Sequence, residues 1–162
     1  MRRISILSIF IFFIFMIACG GGDKKPSETT SSTPAAETKA TEPASYDPTR
    51  GEGKFTAENV KIDAKLDAGM ADAGEKIASV KCTSCHKMSA EKLVGPGWKG
   101  VTERKTAHWI MNFITNPDPM IDKDPELQAQ LELCLVRMPN QSLADNDARH
   151  IVEFMRKNDG VK

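Results

Sequence analysis

Cys82-Thr83-Ser84-Cys85-His86 is the stretch on which the reading of this chain turns. Two thiols three positions apart can add across the two vinyl groups of one haem, and the imidazole that follows can turn onto the iron, so C-x-x-C-H reads as a covalent haem attachment site. Cys-x-x-Cys also serves zinc sites and reactive dithiols. The surrounding sequence has to separate these chemistries.

The chain begins with Arg2 and Arg3 and then runs apolar from Ile4 to Ile17, interrupted by Ser5 and Ser8. A positive end, a short apolar stretch and a small residue at the break describe a secretory signal over residues 1–18. The break, Met16-Ile17-Ala18-Cys19-Gly20, resembles a bacterial lipobox. That resemblance implies cleavage before Cys19 and lipid on its sulfur and amino group; the alternative is an uncleaved anchor with an ordinary cysteine. Several acyl chains, each adding about 0.8 kcal/mol per buried CH₂, hold a protein on a membrane where one chain would not. The chain from Cys19 onward carries 20 basic and 22 acidic side chains, and nothing in that balance points to nucleic acid. From Lys24 to Arg50, 18 of 27 residues are Pro, Ser, Thr or Ala. Such a stretch cannot bury enough surface to offset its ordering entropy, so residues 19–50 read as a lipidated, disordered tether. About 45 flexible residues would span roughly 35–40 Å. Residues 51–65, with Phe55, Val60 and Ile62, read either as more linker or as an extended arm packed on the head.

Residues 66–160 carry helical periodicity and few alternating β-branched runs, which predicts an all-α domain of about four short helices. Met70, Ala73, Gly74, Ile77 and Lys81 share a stripe on the first, which delivers Cys82 at its end. Thr106 suits an N-cap for a second helix ending before Pro117, with Ile110, Phe113 and Ile114 as its apolar face. Pro125 suits the first turn of a third helix through Leu127, Leu131 and Leu133. The last begins near Asp145 and places Ala148, Ile151, Val152 and Met155 on one face. So few short helices give a thin core, which a prosthetic group at the centre would fill.

In order along the chain, a helix, Cys82–His86, a Gly95-Pro96 turn, Trp109 on a helix, Met138-Pro139-Asn140 and a final helix resemble a class I cytochrome c over roughly Leu66 to Lys157. The resemblance implies an all-α cytochrome c-like fold around one covalently bound haem c. It implies thioether bonds from Cys82 and Cys85, His86 and Met138 as the axial iron ligands, and a Pro96 carbonyl that fixes the His86 ring. Gly74 and Phe154 fall where the family packs its first and last helices together. Trp98 stands where relatives usually carry leucine, and its large ring can still cover the haem.

Other residues compete for these roles. Met120 also sits in a loop beside proline, whereas Met70 and Met155 lie on helix faces and Met88 is too near His86 to reach the opposite side of a haem. His108 and His150 read as surface histidines. Cys134, four residues before Met138, reads as a small hydrophobe or as half of a copper site lacking its histidine. Trp109 either donates to a haem propionate or is aromatic core. Residues 81–105 carry a formal +4 and residues 118–147 a formal −5, so a dipole would arise if the fold kept them apart.

The expected function is a non-enzymatic, monomeric one-electron carrier, anchored by lipid in a bacterial envelope with its head in the periplasm. Its expected partners are a quinol-oxidising complex as donor and an exported reductase or oxidase as acceptor. A haem-based sensor or catalytic site, if Met138 does not bind, and a metal or thiol chaperone using Cys82, Cys85 and Cys134 are the alternatives.

Overall fold

A computed structural model describes residues 46–162. The signal sequence, Cys19 and most of the tether lie outside them. Six helices occur among the described residues: α1 (Ala68–Lys81), α2 (Val101–Arg104), α3 (Ala107–Thr115), α4 (Pro117–Lys123), α5 (Pro125–Cys134) and α6 (Asp145–Asp159). No strand occurs among them. No described helix is long and apolar enough to cross a membrane.

Asp67 caps α1 by accepting from the Met70 amide. The buried face of this helix is Ala71, Gly74 and Ala78, one position round from the expected stripe, and Lys81 points outward to donate to the Gln141 carbonyl. Backbone proximity explains the shift. The α1–α6 packing is the most extensive between any two helices, and a Cβ on Gly74 would strike the His150 carbonyl. Only small side chains fit at such a crossing, so the larger Met70 and Ile77 flank it.

α6 is buried from Ile151 through Arg156 without a break. The apolar face read from the sequence is there, but Glu153 and Arg156 are buried as well. An arm formed by residues 46–65 covers the side that would otherwise meet water. Glu153 holds Arg156 at 2.8 Å and Arg149 at 2.6 Å. Arg156 Nη2 donates to the Asp63 carbonyl at 2.6 Å, and Arg149 donates to that of Lys61. Phe55 and Val60 join the core.

Asn112 of α3 pins the arm further up, donating to the Arg50 and Phe55 carbonyls and accepting from the Phe55 amide. Gly51 lies at φ 73°, where a side chain would be strained and would run into Met120. The tether was expected to reach Arg50, yet Tyr46 donates to Asp124 and the Thr49 carbonyl accepts from Thr106. A phenol and backbone carbonyls with partners of this kind anchor a stretch whose composition alone suggests none.

Thr106 caps α3, its hydroxyl accepting from the Trp109 amide. Pro117 ends that helix and opens α4 at once, because proline lacks only the N–H that a first helical turn leaves free. Asp124 then caps α5. No α5 residue is buried, and Leu133 is exposed. The reason is that Leu127 and Leu131 face a cavity. The basic and acidic segments meet instead of separating: Lys105 pairs with Glu126 at 2.7 Å, and Lys92 donates to the Leu133 carbonyl.

Candidate functional site

Cys82 closes α1, and the Cys85 and His86 amides both fold back onto its carbonyl at 3.0 and 2.9 Å. This tight turn sets Cys82, Cys85 and His86 along one cavity wall. Burial pushes the Cys82 thiol up to about 11, the opposite of the lowered value that a reactive dithiol needs. None of Cys82, Cys85 and Cys134 is in a disulfide.

Next comes the turn at Gly95-Pro96-Gly97. The amides of Val94 and Gly95 donate to the Cys85 carbonyl. His86 Nδ1 lies 2.8 Å from the Pro96 carbonyl. A carbonyl only accepts, so the ring proton sits on Nδ1 and the Nε2 lone pair is left available, the tautomer a metal-binding imidazole requires. Gly95 lies against the ring itself: a Cβ there would come within 2.9 Å of Nδ1 and 3.0 Å of Nε2. Trp98 is buried 5.7 Å from the His86 ring centroid and meets Phe154 edge-on at 6.3 Å.

The cavity in front of His86 has a volume of about 410 Å³, and a second of about 110 Å³ adjoins it. Cys85, His86, Pro96, Phe113, Leu127, Gln130, Met138 and Pro139 line both. Their size and mainly apolar walls suit a flat organic group. Met138 is half-buried in the wall of both cavities, whereas Met120 lines neither and is core beneath Gly51. His108 and His150 line neither cavity. Met155 lines the larger one from α6, and Met111 is buried core. Cys134 is half-buried in the second cavity, not enclosed as a small hydrophobe would be. Among the described residues, no cluster of three or more His, Cys, Asp or Glu could hold a bare metal ion.

Trp109 is buried and lines the larger cavity, yet its Nε1 has no hydrogen-bond partner. The Tyr46 phenol is nearby, and while it donates to Asp124 its oxygen can still accept. Lys105, also in the cavity wall, stands 4.4 Å over the Trp109 ring. Lys105 is already paired with Glu126, also in the cavity wall, so the buried indole N–H is what suits a group that brings carboxylates.

Phe113, Leu127 and Gln130 were not legible as site residues, because each occupies an ordinary position on a helical face. Gly95 left a trace in the paired glycines around Pro96. Its contact with the imidazole face did not.

Two cysteines on one wall, a ring nitrogen presented by a fixed tautomer, a thioether in the same cavity and an unpartnered N–H at one end together fit a covalently held haem. The sequence profile of the cytochrome c family matches residues 71–159, and the chain belongs to that family. It is a class I c-type cytochrome, the family that binds one haem c covalently.

Its particular likenesses are bacterial. A cytochrome c-553-like protein of Synechocystis sp. (strain ATCC 27184 / PCC 6803 / Kazusa) is 31% identical over 67 residues, which cover 39% of this chain and 64% of that protein. The match thus spans just under two thirds of that relative's length. The structure of a cytochrome c from Rhodothermus marinus superimposes with a TM-score of 0.61 at 30% identity, covering 64% of this chain and 89% of the other. An engineered form of the same protein gives 0.60 at 29% identity, over 64% and 90% of the two chains.

Proposed function

We propose that Cys82 and Cys85 hold the haem by thioether bonds, that His86 Nε2 and the Met138 sulfur take the two axial positions, and that the protein relays single electrons between envelope redox complexes. The observation carrying this reading is that Met138 shares both cavities with His86 while the His86 ring is fixed with Nε2 free. Bound haem supplies a ferric/ferrous couple, and His/Met ligation sets its potential higher than bis-His ligation would. The protein's own part is positional. Pro96 and Gly95 fix the imidazole, Trp98 and Phe113 exclude water from the cavity walls, and Trp109 Nε1 would donate to a carboxylate of the bound group.

Replacing Met138 with Ala is expected to abolish the long-wavelength charge-transfer band that a thioether gives ferric haem, and to lower the midpoint potential. Persistence of the band would move the ligand assignment away from Met138. Absence of the band in the parent would instead favour the sensor reading, which depends on a free sixth position.

The envelope location follows from the N-terminal sequence: residues 1–18 as signal, lipid on Cys19, then a tether to the haem domain in the periplasm. Donor and acceptor are read as a quinol-oxidising complex and an exported terminal reductase or oxidase. Both would meet an apolar rim. Val94, Leu133, Leu135 and Val136 are exposed, Leu135 at 85%, and Val94 and Val136 line the second cavity. Lys87 is paired with Glu91, and Arg137 with Asp118 and Asp122. Replacing Leu135 with Asp is therefore expected to slow bimolecular reduction by about tenfold, with little ionic-strength dependence in the parent. A parent rate that falls steeply with added salt would show that charge, not this rim, guides the encounter.

A further inference from the structure

The family match begins at residue 71, so the arm over residues 46–65 is additional to it. Tyr46, the chain's one tyrosine, donates to Asp124 Oδ2 at 2.5 Å. Asp124 is 2% exposed, and its other oxygen accepts from the amides of Glu126 at 2.8 Å and Leu127 at 3.4 Å. One carboxylate therefore both caps α5 and receives the arm. α5 has no buried residue of its own, and it leads within four residues to Met138. At the far end of the same segment, Lys54 of the arm pairs with Asp145 at 2.7 Å. Burial, and then the bond to Asp124, raise the Tyr46 phenol above its ordinary value of 10.0, so it remains a donor at neutral pH.

We propose that Tyr46 and Asp124 are positioning residues for the distal ligand: the arm clamps the start of α5 and thereby keeps the Met138 segment closed on the haem cavity. This rests on Met138 being the axial ligand. A charge-assisted hydrogen bond to a buried carboxylate is among the stronger local contacts. Its loss should raise the fraction of molecules with the distal segment open without unfolding the domain.

Imidazole added to the ferric, haem-loaded full chain competes for the sixth position, and its apparent affinity scales with that open fraction. Tyr46→Phe, which removes only a hydroxyl, is expected to bind imidazole about tenfold more tightly than the parent, while keeping the thioether charge-transfer band when imidazole is absent. The control is Asp159→Ala, which removes the cap on the Gly100 and Thr102 amides and touches nothing between residues 124 and 145. It should leave imidazole affinity within about twofold of the parent. Unchanged affinity in Tyr46→Phe would overturn the proposal, as would an equal rise in both variants, which would mean general loosening. A band that survives Met138→Ala would instead defeat the ligand assignment, so the two failures are distinguishable.

Discussion

Gly95→Ala will unseat His86. The added methyl has no free space, because it would press on the imidazole face within 2.9 Å of Nδ1 and 3.0 Å of Nε2. Either the ring turns and gives up its bond to the Pro96 carbonyl, or residues 94–96 lift away and give up two bonds to the Cys85 carbonyl. Forcing a methyl into packed space costs about 1–3 kcal/mol. For a domain of this size that lowers the melting temperature by roughly 5–15 °C. Orientation is the larger loss, since a ligating imidazole depends on the bond to its second nitrogen for tautomer and direction. The haem-loaded variant should therefore also show a weakened iron–imidazole vibration by resonance Raman. A Gly95→Ala variant with the parent's melting point and the same vibration would show that the ring has room to give way.

The second large effect is expected at Glu153→Ala. Glu153 is 1% exposed and lies between Arg149 and Arg156, each of which also reaches a carbonyl of the arm. Removing the carboxylate leaves two guanidinium groups facing each other with no counter-charge, and breaking a buried pair in this way costs about 3–5 kcal/mol. Denaturant titration should show the loss directly, and residues 61–65 should become sensitive to protease as their two ties loosen. The converse also follows. Replacing Glu153 and Arg156 together with leucine removes the buried charge from both sides of that pair and should recover part of the loss. If the double variant is no more stable than Glu153→Ala, the network's contribution is not electrostatic.

The helical class was legible because periodicity and end signals are local. Thr106, Pro125 and Asp145 mark helix starts by what each side chain or ring does to its neighbouring amides, so α3, α5 and α6 stand where those residues place them. α4 was not legible. Pro117 and Pro119 read as a stop, and the same missing N–H that ends one helix is harmless in the first turn of the next. The buried face of α1 missed by one position because the stripe was weighted toward large side chains, while the helix crossing at Gly74 admits only small ones. The burial of Glu153 and Arg156 was not legible, because nothing in α6 indicates that a second surface will cover it.

The sequence by itself determined the chemistry: two thiols and an imidazole at fixed spacing, and thioether candidates near proline. Those are properties of residue type and short separation, and they survive without coordinates. Tertiary structure decided which distant groups share a space. It set Met138 in the cavity with His86 and left Met120 under Gly51, turned the Trp109 N–H into an unpartnered donor, and drew Tyr46 onto Asp124 across 78 residues of chain. Such choices depend on packing between elements far apart in sequence, where each contact is settled by all the others at once. A motif singled out Met138, but no local pattern around Tyr46 could have carried its contact.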